Sequence, residues 1–168
     1  VKKASFASPD VIAPYFLKLF LIWSPYHFSG QTLGITLLYA RRAGFTLGRW
    51  ERLALSSFIY GTFLFPVLAA EIGGTPAPFY GVSYPTFGVP FWAPSVAVAM
   101  LWLGGAAFVV LMTRSCWRMR RMVPPIVLLP AASQFVWFMP GMQTAAFYEF
   151  VPLFHSLQYL FIAWAMQV

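Results

Sequence analysis

The stretch PSVAVAMLWLGGAAFVVLM, residues 94–112, decides the fold of this chain. It contains no charged residue, and a helix of about 20 apolar residues crosses the roughly 30 Å hydrocarbon core of a bilayer. The composition of the whole chain agrees, because 60% of the residues are hydrophobic, only 9% are charged and the mean hydropathy is +0.72. These values are typical of an integral membrane protein and argue against an ordinary soluble domain.

Five apolar segments of this kind follow one another along the chain. They cover residues 14–39, 53–70, 94–112, 124–138 and 147–167. We therefore predict an all-α fold, a polytopic transmembrane helical bundle of about five spans that forms a single domain over residues 1–168. Pro25 lies near the middle of the first segment, where it removes a backbone hydrogen bond and predicts a kink before His27. The chain opens on Val1 rather than on methionine, so the presence of earlier spans in a larger protein is left open.

Arginine is concentrated in two connections between the apolar segments. The first connection holds Arg41, Arg42, Arg49 and Arg52, and the second holds Arg114, Arg118, Arg120 and Arg121. Positively charged loops tend to stay in the cytoplasm, so both connections are predicted to be cytoplasmic, in a bacterial inner membrane. Lys2, Lys3 and Lys18 fall on the opposite side in this scheme. The net charge of +7 is thus interpreted as a topology signal, and no nucleic acid partner is expected.

The connection over residues 71–93 has a different composition. It carries no Lys or Arg and is filled with Pro, Gly, Tyr and Phe, as in TPAPFYG at residues 75–81. Such a segment neither spans a membrane nor resembles a flexible charged linker. We predict an ordered, aromatic-rich loop on the extracytoplasmic side and call residues 71–93 the lid loop.

The two histidines of the sequence occupy similar short motifs. They are His27 in YHFSGQ, residues 26–31, and His155 in FHSLQY, residues 154–159. Each is followed on the same helical face by an amide, Gln31 or Gln158, and Tyr159 joins the second motif. An ionisable group at membrane depth costs on the order of 2 to 3 kcal/mol, so it marks a ligand site, a pathway or a partner. Both histidines are predicted to face the interior of the bundle.

The two histidines are the candidate ligands of a metal ion or a pigment. Imidazole binds iron and other transition metals, and it also serves as an axial ligand to haem or to the magnesium of a chlorophyll. Neighbouring amides and phenols can fix its tautomer, and the candidates for this supporting role are Gln31, Gln158, Tyr159 and Gln134. The alternative is a histidine that only bonds to a neighbouring helix. Two histidines are also fewer than the three protein ligands of a usual catalytic zinc site, and no catalytic residue is assigned.

The segment SPYHFSGQ, residues 24–31, resembles the Ser-x-x-His-Phe-Gly motif of the membrane β-carotene-cleaving dioxygenases of the Brp/Blh kind. The segment at residues 154–159 is similar to their His-Ser-x-x-His motif. The resemblance implies transmembrane helices and histidines that hold an iron, which adds oxygen across the central double bond of a carotenoid. This sequence departs from the pattern at Tyr159, which replaces the second histidine, and at Ser29, which is inserted before the glycine.

Two functions follow from these patterns. The first is a non-catalytic subunit of a membrane complex, or a binder of a lipophilic ligand such as a carotenoid, quinone, chlorophyll or lipid, with membrane lipid and other transmembrane subunits as partners. An aromatic content of 20% supports it. The alternative is a metal-dependent membrane oxygenase acting on a carotenoid, isoprenoid or fatty substrate, with His27 and His155 as ligands. A shared metal ion would bring the two imidazoles within about 4 Å of each other.

Overall fold

The computed structural model describes residues 9–72, 78–79 and 81–139, and five later positions, namely Leu153, Ser156, Leu157, Leu160 and Trp164. Four helices make up most of it: α1, Pro9–Arg42; α2, Arg49–Ala70; α3, Ala93–Met119; and α4, Pro125–Phe138. The described residues form no strand, and one isolated antiparallel bridge joins Phe79 to Val82. The predicted all-helical class is therefore confirmed for this part of the chain.

Two of the helices, α2 with 22 residues and α3 with 27, are long and apolar enough to cross a membrane by length and composition. The apolar helix α4 has only 14 residues. α1 has 34 residues and continues through Pro25, but polar positions such as Lys18 and His27 interrupt its apolar character. The fifth predicted span, residues 147–167, lies outside the described residues apart from the five later positions, which are helical. The count of five spans stays a prediction.

α2 and α3 pack backbone against backbone at two glycines. A Cβ atom at Gly61 would lie 2.6 Å from the nitrogen of Leu101 and 3.0 Å from the carbonyl oxygen of Ala97. A Cβ atom at Gly104 would lie 2.6 Å from the nitrogen of Phe58. Since real Cβ atoms do not approach backbone atoms so closely, both positions require glycine. Small residues that allow such an approach are typical of helix pairs in membrane proteins.

α1 and α4 pack against each other and against α2, whereas α3 packs mainly against α2. The buried core between the helices consists of Ala40, Phe45, Leu47, Ala54, Leu55, Ile59, Phe108, Met112, Val127 and Ala131. Two of these residues, Phe45 and Leu47, belong to the connection between α1 and α2. This connection therefore contributes to the core instead of passing over it.

α1 and α3 end in the same type of turn, the Schellman motif, which usually places glycine in a left-handed conformation. At the end of α1, the Phe45 N–H donates to the Ala40 carbonyl at 2.8 Å, and Gly44 has a φ of 79°. At the end of α3, the Arg121 N–H makes the equivalent bond of 3.2 Å, and Arg120 has a φ of 51°. Arg120 thus occupies a position that disfavours a side chain by roughly 1 to 2 kcal/mol.

The directions of the helices place the arginines at one end of the bundle. We call this the arginine end; its members are Arg41, Arg42, Arg49, Arg52, Arg114, Arg118, Arg120 and Arg121. The Ser115 hydroxyl donates to Glu51 Oε1 at 3.4 Å, which joins the end of α3 to the beginning of α2. A Cβ atom at Gly44 would lie 3.5 Å from Nη1 of Arg121, so the two arginine-rich connections adjoin. The lid loop follows the opposite end of α2. Which end faces the cytoplasm stays a prediction.

Candidate functional site

His27 lies on α1 with Trp23 one turn before it and Gln31 one turn after it. The indole ring of Trp23 stacks on the imidazole, with 4.8 Å between centroids and 12° between planes. Nε2 of Gln31 lies 2.7 Å from Nε2 of His27. Residues four apart share a helical face, and the structure brings His27 and Gln31 into contact as their spacing predicts. His27 itself is half-buried.

The contact between these two nitrogens determines what His27 can still bind. Either the Gln31 amide donates to Nε2 of His27, or the amide is turned over and Nε2–H donates to Oε1 of Gln31. Nε2 is engaged in both arrangements. In the first, the neutral ring carries its proton on Nδ1, which can then only donate a hydrogen bond; in the second, Nδ1 has a free lone pair and could bind a metal ion or the magnesium of a pigment. In the first arrangement Oε1 of Gln31 is buried and has no hydrogen-bond partner among the described residues. This oxygen is thus an unsatisfied buried polar group beside the histidine, closed off from the surface.

A row of aromatic side chains extends along the same side of α1. We call Phe16, Phe20, Trp23 and His27 the aromatic face of α1, because they follow one another as i, i+4, i+7 and i+11. Phe16 and Phe20 are exposed, and Trp23 is 54% exposed. A contiguous exposed patch of large apolar side chains marks a surface that meets lipid, a ligand or another protein. The described contacts cover this face only at its His27 edge.

Gln134 belongs to a hydrogen-bond network that joins α4 to α1 and α2. Its Nε2 lies 2.8 Å from Oγ of Ser29, and 3.0 Å from both the Ile59 carbonyl oxygen and Oγ1 of Thr62, so its two N–H groups share three acceptors. The Ile59 carbonyl can only accept, so the amide nitrogen must face it, and Oε1 of Gln134 is buried without a partner in the described part of the chain. No described hydrogen bond joins Gln134 to His27. The structure thus places Gln134 in helix packing, and its supporting role beside a histidine stays a prediction, since His155 lies outside the described residues.

We expect Gln134→Leu to lower the free energy of unfolding by about 1 kcal/mol, because interhelical hydrogen bonds in membrane proteins contribute about 0.6 kcal/mol on average. Gln134→Glu should cost more, since a carboxylate cannot donate to the Ile59 carbonyl and adds an unpaired charge. Equilibrium unfolding in mixed micelles measures both changes. The control is Ser133→Ala, a half-buried neighbour without a described hydrogen bond, which should change stability by less than about 0.5 kcal/mol. Equal losses for the Leu and Glu variants would contradict the network.

A buried ion pair joins α1 to the end of α2 and to the lid loop. Lys18 Nζ pairs with Oε1 of Glu71, and both residues are 4% exposed. The other oxygen of Glu71 accepts the Phe87 N–H at 2.7 Å. Lys18 Nζ also lies over the rings of Tyr84 and Phe87, 5.3 and 5.1 Å from their centroids. The pair explains why a lysine lies away from the arginine end, because Glu71 neutralises its charge inside the protein.

The sequence did not reveal this pair, because its members are far apart along the chain. The sequence did contain one indication of the pair. A positive charge, Lys18, lies inside the first apolar segment, and a negative charge, Glu71, follows the end of the second. Each charge alone is costly in an apolar environment, so opposite charges of this kind tend to pair. Glu71 and Lys18 also contact residues 84–87 of the lid loop. The order of the whole loop, part of which lies outside the described residues, stays a prediction.

The second histidine motif lies outside the described residues. This applies to His155, Gln158 and Tyr159, so the distance between the two imidazoles stays a prediction. In the part of the chain that the structure describes, no three His, Cys, Asp or Glu side chains come together as a metal-binding group. A metal ion at His27 would therefore take further ligands of these types from residues beyond that part.

No family model, no curated protein and no solved structure matches this chain. The resemblance to the β-carotene-cleaving dioxygenases accordingly rests on the two short histidine motifs alone. The function has to be argued from the described geometry, and above all from the surroundings of His27.

Proposed function

We propose that the protein is an integral membrane protein that binds a lipophilic ligand with a ring or polyene system, such as a quinone, chlorophyll or carotenoid, against the aromatic face of α1. The observation that carries the proposal is the stacking of exposed Trp23 on half-buried His27. The membrane setting is supported by the apolar composition and by the two helices long enough to span.

The pair formed by Trp23 and His27 suits such a ligand because it combines a flat apolar surface with a polar edge. A conjugated ligand can stack on the indole, and aromatic stacking contributes about 0.5 to 1.5 kcal/mol beyond the apolar area that it buries. The polar edge is Nδ1 of half-buried His27, while Gln31 engages Nε2 and holds the ring in its orientation. A carbonyl, a hydroxyl or a coordinated metal at one end of the ligand would find its partner there.

The remaining surface of the bundle supports a lipid environment. Large apolar side chains are exposed on α3 and α4 as well, namely Trp102, Leu103, Val109, Val110, Leu129 and Val136. Monomeric soluble proteins rarely expose contiguous apolar surface on this scale. Surrounding lipid would cover these side chains, and the ligand would reach the aromatic face of α1 from within the bilayer.

We expect Trp23→Ala to lower the amount of co-purified ligand about tenfold, because it removes the stacking surface. His27→Phe keeps a ring beside Trp23 but removes the polar edge. We expect this variant to lose less of the co-purified ligand than Trp23→Ala does. The measurement is the absorption spectrum of an organic extract of the protein purified in mild detergent, together with metal analysis. The matched control is Trp92→Ala, a tryptophan that is 56% exposed at the beginning of α3 and away from His27.

The results of these measurements distinguish a ligand site at Trp23 and His27 from the alternative functions. A similar loss of ligand in the Trp92 and Trp23 variants would contradict the site, and protein that carries no lipophilic molecule from its native membrane would overturn the proposal. Iron or another transition metal in near-stoichiometric amount, removed by both His27→Ala and His155→Ala, would favour the oxygenase alternative instead.

A further inference from the structure

We propose that the arginine end is a binding surface for the headgroups of anionic phospholipids. The inference rests on the membrane insertion in the proposed function, but it does not depend on a ligand at His27. All eight arginines of the chain are exposed at this end. Among the described residues, none of their guanidinium groups forms an ion pair. The surface thus carries a concentrated positive charge that attracts an anionic partner.

The acidic and polar groups at this end do not neutralise the charge. Glu51 is the acidic residue here, and its carboxylate accepts the Ser115 hydroxyl instead of pairing with an arginine. Arg52 donates through Nε to the Leu47 carbonyl at 2.9 Å, which positions the guanidinium group without changing its charge. Glu51 offsets only one of the eight positive charges, so the surface keeps a net positive charge that an anionic partner can neutralise.

Exposed apolar side chains beside the arginines indicate which anion fits. Trp50, Trp117 and Met122 are 64%, 83% and 90% exposed, and the Arg49 guanidinium lies 5.6 Å from the centroid of the Trp50 ring. Tryptophan is typical of the boundary between lipid and water. A phospholipid bilayer offers phosphate groups directly beside acyl chains, which would cover Met122 together with the two tryptophans. Single-stranded nucleic acid could stack on the tryptophans but would bring no such apolar chain. The combination favours phospholipid.

The two arginine-rich connections lie side by side. This arrangement favours a headgroup with a net negative charge. Arg121 extends from the second connection to Gly44 in the first, so guanidinium groups of both connections contribute to one surface. A guanidinium group binds a phosphate through two parallel N–H bonds. A zwitterionic headgroup carries its own ammonium group, which several neighbouring guanidinium groups would repel.

Substitutions at Arg120 can distinguish the effect of charge on lipid binding from the effect of backbone strain on stability. It occupies the turn position that Gly44 occupies at the end of α1, and its φ of 51° is unfavourable for a residue with a side chain. A glycine would relieve the backbone strain and remove one positive charge. Arg120→Gly should therefore raise the midpoint of thermal unfolding by about 2 to 4 °C while it weakens the preference for anionic lipid about twofold. Arg120→Lys should leave both quantities nearly unchanged.

The experiment measures how much phosphatidylglycerol and phosphatidylcholine the purified full chain retains from mixed vesicles. We expect the unmodified protein to prefer phosphatidylglycerol about tenfold. The double variant Arg118→Gln/Arg121→Gln should lose most of this preference, and Arg118→Lys/Arg121→Lys should keep it. Equal retention of the two lipids by the unmodified protein, or an unchanged preference in the Gln variant, would overturn the inference. Tighter retention of a single-stranded RNA oligomer than of phosphatidylglycerol would overturn it as well.

The same purified protein distinguishes a failure of the lipid-binding inference from a failure of the proposed function. Extraction of the protein from membranes by alkaline washing would refute membrane insertion, and with it both proposals. Loss of the α1 ligand with an intact preference for phosphatidylglycerol would refute only the ligand site. A bound ligand without any lipid preference would refute only the lipid surface.

Discussion

Lys18→Met is expected to lower the free energy of unfolding by about 3 to 5 kcal/mol, because it leaves the carboxylate of Glu71 buried without its counter-charge. Glu71 is 4% exposed, and its remaining described partner is the N–H of Phe87. Methionine has a side chain of similar length to lysine. The loss of stability therefore reflects the missing charge more than a change in packing. The loss should shrink in acid, where protonation removes the charge of Glu71. Unfolding in mixed micelles at two pH values measures both effects.

The double variant Lys18→Met/Glu71→Gln separates the ion pair from other causes. It should recover most of the lost stability, since neither side chain is charged and the Gln carbonyl can still accept the Phe87 N–H. The control on the same turn of α1 is Leu19→Met, because Leu19 is exposed and the substitution conserves volume. If the single and double variants were equally unstable, the ion pair would not be the source of the effect.

Gly104→Ala is expected to lower the free energy of unfolding by about 2 to 3 kcal/mol, because the added Cβ atom would overlap backbone of the neighbouring helix. The atoms in question are the nitrogen of Phe58, at 2.6 Å, and the carbonyl oxygen of Ala54, at 2.9 Å. A side chain could turn away, whereas backbone can only move with its helix, so α2 and α3 would separate. Gly61→Ala should have a similar effect for the same reason.

Two other glycines provide graded controls for this prediction. A Cβ atom at Gly34 would meet nothing within 4 Å, so Gly34→Ala in α1 should raise stability by about 0.5 to 1 kcal/mol through helix propensity. A Cβ atom at Gly105 would meet the ring of Phe58 at 2.9 Å, and the ring can move, so an intermediate loss is expected. Close packing of α2 on α3 would be disproved if Gly104→Ala were tolerated as well as Gly34→Ala.

The apolar pattern predicted where the described helices lie, but not how far they continue past their arginines. The segment predicted at residues 53–70 corresponds to α2, Arg49–Ala70, and the segment at residues 94–112 corresponds to α3, Ala93–Met119. An apolar segment is taken to end near the first charged residues, whereas backbone hydrogen bonding continues through arginines, which are good helix formers. α1, α2 and α3 are therefore longer at their arginine-bearing ends than the segments that revealed them, whereas α4, Pro125–Phe138, corresponds closely to the segment at residues 124–138.

The contacts of the candidate site were predictable only where they are local. The approach of Gln31 to His27 follows from a spacing of four residues in a helix. The bonds from Gln134 to Ser29 and Thr62 depend on how three helices are arranged around one another. Neither composition nor periodicity determines that arrangement, so the sequence could offer Gln134 as a polar residue within an apolar segment but not name its partners.

The pairing of Lys18 with Glu71 also has a consequence for biosynthesis. Ribosomes add about 5 to 20 residues per second, so Glu71 emerges about 3 to 10 s after Lys18. During this interval the ammonium group on α1 has no counter-charge, which opposes its transfer into an apolar environment. If the protein is inserted in a membrane as proposed, we infer that α1 enters it only after α2 has been made.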